Sequence, residues 1–184
     1  MSPRDASRPA TYSKAQKLLH WLIGVLVICM IIAGLVMNHI GEGPLQNTLY
    51  DLHRSTGMVL LLLIVLRIVV RQQLGTPAPP PDLPAWDRIT SVATHHLLYV
   101  FMFAMPLLGW AAMSAYGDGW TVFGLFQPPP IAPKDEALSD ILFRIHEIAG
   151  ITFACLIGVH VLGVLYHAIF KRDGLLGRML PDHE

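Results

Sequence analysis

Apolar residues come in long blocks along this chain. Leu18–Met37 is interrupted only by His20 near its start. A helix needs about 20 apolar residues to cross the hydrocarbon of a bilayer, and this run supplies them. It stops at Asn38, with Gly41, Gly43 and Pro44 as breakers beyond. His96–Ser114 and Ile148–Phe170 are two more such blocks, the last closed by Lys171, Arg172 and Gly174. A weaker block, Asp51–Arg71, lies between the first two. Its apolar middle runs from Gly57 to Leu66 before Arg67 and Arg71 intrude.

Charge placement decides the weaker block. Arg4, Arg8, Lys14 and Lys17 precede the first block, and Lys171, Arg172 and Arg178 follow the last. Cationic flanks stay on the cytoplasmic side, so both termini belong there and the number of spans is even. The Asn38–Leu52 loop has no Lys or Arg, the Gln72–Thr94 linker carries Arg88, and the Tyr116–Phe143 loop carries only Lys134. The expectation is one all-α domain over residues 1–184, an integral membrane four-helix bundle with cofactor sites in its core. Its spans lie near residues 14–38, 51–72, 93–115 and 138–170. Gly75–Pro84 reads as a stiff, proline-rich cytoplasmic linker. Pro128–Pro133 leads into the last helix, with Asp135 and Glu136 in its first turn. No internal repeat is evident.

Composition agrees with a membrane class: 53% of residues are hydrophobic and 14% charged, against about a quarter charged in soluble domains. A formal net charge of zero gives no field for nucleic acid. Cys29 and Cys155 stand alone in apolar runs, with no CxxC or CxxCH for covalent haem attachment or a thiolate zinc site. Met1–Lys17 is polar, and the apolar run behind it is too long and lacks a small-residue cleavage site, unlike a secretory signal. Tyr12, Trp21, Trp86, Trp110 and Trp120 read as interfacial or packing aromatics.

Histidine is the unusual residue in so apolar a chain, with nine copies. An ionisable side chain inside a span is costly and points to function. His20, His53, His146 and His160 all fall within expected helices. His146 and His160 are fourteen residues apart, which brings them to within roughly 40° of one helix face and about 21 Å apart along it. By depth, His53 matches His146 near the outer leaflet and His20 matches His160 near the inner one. Two such imidazole pairs suit the axial positions of two b-type haems, leaving no site for oxygen on the iron. Gly24, Gly57 and Gly150 each follow a histidine by four residues, where a side chain would collide with a porphyrin. Close helix packing by small residues is the alternative, and the pattern favours haem clearance. A histidine-lined metal permease is a further reading, but it would want carboxylates and none lies mid-span.

Arg67 is fourteen residues after His53, so it shares its face near the inner pair and could meet a haem propionate. Snorkelling to headgroups is the alternative. His95 and His96 open the third span on the inner side and could line a quinone pocket. The polar set at that end (Arg67, Arg71, His95, His96, Lys14, Lys17) favours quinone there. The outer end offers Arg54, Lys134 and Arg144, enough to attract a small anionic donor. His39 and His167 are assigned no role, and His96 none beyond membership of the inner-end polar set.

Several runs together resemble the bacterial cytochrome b561 family, which is similar in turn to the cytochrome b subunits of membrane hydrogenases and formate dehydrogenases. They are Ser13–Gly24, His53–Gly57, Leu66–Arg71, His95–Tyr99, Pro106–Trp110, His146–Gly150 and His160–His167. The resemblance implies an inner-membrane four-helix bundle with two haem b groups and His20, His53, His146 and His160 as ligands to the iron. It implies electron exchange with ubiquinone or another quinone. Some relatives are regarded as oxidising superoxide at the outer face and passing electrons to quinone; others are electron-carrying subunits of larger membrane dehydrogenase or hydrogenase complexes, so the donor implied is a small molecule or a redox partner protein.

Overall fold

A computed structural model of the chain describes residues 11–80 and 83–180. Arg4, Arg8 and two linker residues at 81–82 lie outside the described residues. Four long helices follow one another: α1 (Lys14–Met37), α2 (Pro44–Leu74), α3 (Ala85–Tyr116) and α4 (Glu136–Tyr166). Each is long and apolar enough to cross a membrane.

Local chemistry sets the helix ends. Ser13 caps α1, its hydroxyl accepting from Gln16 N while the Gln16 side chain accepts from Ser13 N. Asp135 caps α4 by accepting from Leu138 N. Two helices start well before their apolar stretches. α2 begins at Pro44 rather than near residue 51, and its polar first turns are tied to the end of α1: Gln46 Nε2 donates to Met37 O (2.8 Å) and Tyr50 OH to Asn38 Oδ1 (2.7 Å). α3 begins at Ala85 rather than near residue 93. Its first-turn Asp87 is buried and paired with Lys171 from the far end of the chain. Hydropathy marks where lipid must be faced, whereas a helix runs on until a breaker stops it.

The helices run up and down. Gln16 Nε2 donates to Gly75 O, so the start of α1 meets the end of α2. Arg67 Nε donates to Tyr99 OH, and Ser139 Oγ donates to Ala112 O, so α2 with α3 and α3 with α4 are antiparallel as well. Both described chain ends therefore lie at one end of the bundle, called here the terminal end, with the two long loops' opposite end called distal. α4 passes into a π turn, His167–Lys171, and stops at Arg172 in the left-handed region (φ 51°). The tail beyond folds back: Trp21 Nε1 donates to Met179 O (2.9 Å) and Arg178 Nη1 to Ala78 O (2.7 Å).

Midway along the bundle, Ile23, Val27, Leu60 and Phe153 form a buried apolar cluster, with the Phe101 and Phe153 rings stacked at 5.7 Å. Most large apolar side chains face outward instead, Leu18, Leu62 and Leu162 being about two-thirds exposed or more. Water would not tolerate such a surface; lipid would.

Candidate functional site: two imidazole pairs in the bundle

The helices bring the four span histidines together two by two. At the distal end, the rings of His53 (α2) and His146 (α4) have centroids 6.1 Å apart. At the terminal end, His20 (α1) and His160 (α4) are 6.3 Å apart. A five-membered ring with bonds near 1.35 Å places its nitrogens about 1.15 Å from its centroid. An imidazole nitrogen sits about 2.0 Å from a bound first-row metal. Two imidazoles on opposite sides of one such ion therefore keep centroids about 6.3 Å apart. Both pairs have the separation a single bis-imidazole metal requires. Among the described residues, no cluster of three or more His, Cys, Asp or Glu is arranged to hold a metal ion. What the bundle offers is two-ligand sites, which suit an ion already held by a macrocycle.

The distal pair rests in two matching notches. A Cβ added to Gly34 on α1 would stand 3.4 Å from His53 Cε1, and one added to Gly109 on α3 would stand 3.3 Å from His146 Cε1. Nδ1 of both histidines is buried with no partner at hydrogen-bonding geometry. The backbones of Met30 and Met105, four residues before each notch glycine, face these rings. The methionine tips cross over to the glycines following the histidines: a Cβ on Gly57 would lie 3.7 Å from Met30 Cε, and one on Gly150 would lie 3.5 Å from Met105 Cε. Hairpins α1–α2 and α3–α4 thus repeat one device, Met-x3-Gly against His-x3-Gly, although no sequence repeat announces it. Gly24 is exposed and has open space beside it.

The terminal pair has more company. Arg67 Nη2 donates to His20 Nδ1 (3.2 Å), while its Nε donates to Tyr99 OH (3.1 Å) and its Nη1 reaches Gln16 O (3.5 Å). A neutral imidazole accepting at Nδ1 carries its proton on Nε2. His95 stands with its ring 5.2 Å from that of His160. Its Nδ1 is 2.6 Å from Ser91 O, so Nδ1 bears the proton and Nε2 keeps a lone pair. A shallow cleft opens here, lined by Tyr12, Gln16, Arg67, Arg71, Tyr99 and Met179.

Other expected residues stand apart. His96 turns Nδ1 to Val92 O (2.7 Å) and His39 to Leu35 O (2.7 Å), each within its own helix or just past it. His167 pairs with Asp173 at 2.5 Å. Two of the three distal cations are matched by carboxylates: Arg54 pairs with Asp51, and Arg144 lies 3.6 Å from Glu147. Lys134 lays its aliphatic stem against Gly117. Trp120 and Trp110 belong to a packed cluster with Met113 and Val122. Gly34, Gly109, Met30 and Met105 are absent from the histidine-centred reading of the sequence, because a notch is visible only from the helix that fills it.

The family model described as prokaryotic cytochrome b561 matches residues 11–182. The chain is 30% identical over 174 residues to cytochrome b561 homolog 1 of Escherichia coli (strain K12), covering 92% of this chain and 97% of that one. It is 30% identical over 172 residues to a Yersinia pestis protein named "Probable superoxide oxidase CybB", covering 92% and 96%. It is 28% identical over 174 residues to cytochrome b562 of Cereibacter sphaeroides, covering 92% and 94%. With its four candidate spans and nearly full-length match, the chain belongs to the prokaryotic cytochrome b561 family, which implies haem and a role in electron transfer.

Proposed function

We propose that this chain carries electrons across the bacterial inner membrane through two b-type haems, one held by His53 and His146 and the other by His20 and His160, and delivers them to quinone. The observation that carries the reading is the pair of imidazole separations, 6.1 and 6.3 Å, at two depths of one bundle. A haem with two axial imidazoles accepts and releases single electrons and leaves no coordination site for other chemistry. The cationic flanks of the first and last helices support an orientation with both termini in the cytoplasm.

The chain's own residues divide the work. At the distal end, Gly34 and Gly109 admit the two rings, and the backbones of Met30 and Met105 stand beside them. At the terminal end, Arg67 supplies a cation suited to a propionate or a quinone oxygen. To let His20 present its Nε2 lone pair, the guanidinium must release Nδ1. We assign the quinone head to the terminal end near Arg67, Arg71 and Tyr99, where the shallow cleft would have to open to admit it. Quinone takes two electrons and two protons to become quinol. His95, with a free Nε2 lone pair, is the group we assign to proton relay there. For the donor, the Yersinia relative's name suggests superoxide, which gives up one electron and leaves as dioxygen.

The test is a haem count with paired variants. Purified protein should hold two acid–acetone-extractable haems per chain. His53→Ala and His146→Ala should abolish one component of the reduced-minus-oxidised spectrum, and His20→Ala and His160→Ala the other. One haem per chain, or a crossed pattern such as His53 with His160, would sink the scheme.

A further inference from the structure

The loop between α3 and α4 does not stay at the bundle's end. From Trp120 it turns back along α2 and α3. Phe123 N donates to Ser55 Oγ (2.9 Å), and Ser55 is two residues deeper along α2 than His53. Trp120 and Val122 pack with Met58, deeper still, and with Trp110 and Met113 of α3. The ring of His53 in turn lies against Gly34, about one turn inside the end of α1's apolar run. The loop thus reaches the depth at which the helices already face hydrocarbon.

Its backbone is prepared for such a place. Val122 N donates to Phe126 O and Leu125 N to Val122 O, both at 2.9 Å, closing a tight turn through Phe123 (φ 49°) and Gly124 (φ 73°). With the Ser55 bond to Phe123 N, the N–H groups of Val122, Phe123 and Leu125 are all bonded within the protein, as a dry environment favours. The side chains are the reverse of prepared for water: Leu125 is 80% exposed, Phe126 56% and Phe123 50%. A phenylalanine held in the left-handed region is an uncommon choice for an aqueous turn, where Asn, Asp or Gly usually stands.

We propose that the Phe123–Phe126 tip is an interfacial wedge, seated in the acyl chains of the distal leaflet beside α2 and α3. Its occupant is lipid, continuous with the lipid that covers Leu62 of α2 and Val100 of α3. The wedge anchors the loop against α2 and α3 through Ser55, Met58 and Trp110. Asp118, exposed at the start of the same loop, stays in water.

Site-directed spin labelling tests this in the haem-loaded protein in phospholipid nanodiscs. Cys29→Ala and Cys155→Ala remove the native thiols. A label is then placed singly at Leu125→Cys, Phe126→Cys, Leu62→Cys and Asp118→Cys. Labels at 125 and 126 should collide with oxygen more than with a water-soluble nickel chelate, as at 62, and the label at 118 should show the opposite ratio. Nickel-dominated collisions at both 125 and 126 would place the tip in water and overturn the wedge. Protection from both reagents would mean that protein, a second copy or a partner, covers the tip, and would overturn it equally. Using two tip positions guards against one variant failing to fold.

Discussion

The two imidazole pairs have nearly equal separations and very different surroundings. The distal pair is closely framed: each ring lies against a glycine of a neighbouring helix, with the backbones of Met30 and Met105 beside them. The terminal pair is contested: a guanidinium bonds to His20, a third imidazole stands beside His160, and a shallow cleft opens beside Arg67. On the proposed function, the first would hold a cofactor still and the second would exchange electrons and protons with an acceptor. In a wire carrying electrons to a proton-consuming acceptor, the polar, titratable end is where the acceptor belongs.

The sharpest way to break this contrast is to fill a notch. Gly109→Val would push branched methyls into the space of the His146 ring, since even a Cβ stands 3.3 Å away. Overpacking of this kind costs about 1–3 kcal/mol. The distal haem component should be lost or strongly weakened in the difference spectrum, with the terminal component intact. Loss of both, or of neither, would show that the two sites are not independently built.

Next in size is His95→Ala. General acid–base help contributes about 10²–10⁴-fold, so quinol-driven reduction of the terminal haem should slow by about 10²-fold in stopped-flow absorbance. Both haem spectra should stay near wild type. A missing haem instead would make His95 part of the scaffold.

Removing the cation should do less. Arg67→Gln takes a positive charge away from His20 and disfavours the reduced state, so the midpoint potential of the terminal haem should fall. A screened interaction of about 1 kcal/mol corresponds to about 40 mV for one electron. Redox titration should show that shift in the terminal component alone; an equal shift in both would deny Arg67 its local role.

The smallest effect is expected at the hairpin tie. Ser55 is 1% exposed and accepts from Phe123 N. Ser55→Ala leaves that donor unmet, at a cost of about 1 kcal/mol or somewhat more. Thermal unfolding in detergent should begin a few degrees lower. An unchanged midpoint would mean the hairpin is held by Trp120 and Val122 alone.

Much of this architecture was legible in the chain before any fold was drawn. Blocks of apolar residues determined an all-helical membrane bundle, because a span must hide its backbone within one helix and show lipid an apolar face. The fourteen-residue spacing on the last helix placed His146 and His160 on one face at two depths, because helical pitch is local and invariant. The helix starts at Pro44 and Ala85 were not legible, since polar first turns are retained by bonds to other segments: Gln46 to Met37, Tyr50 to Asn38 and Asp87 to Lys171. Depth along the helices also paired His53 with His146 and His20 with His160, but only tertiary structure decided that those rings stand 6 Å apart, that Gly34 and Gly109 lie against the distal rings, that Arg67 reaches His20, and that the Trp120–Phe126 hairpin folds down beside Ser55. Each depends on how one helix is rotated and set in depth against another, and periodicity along a single helix carries no information about its neighbour's angle.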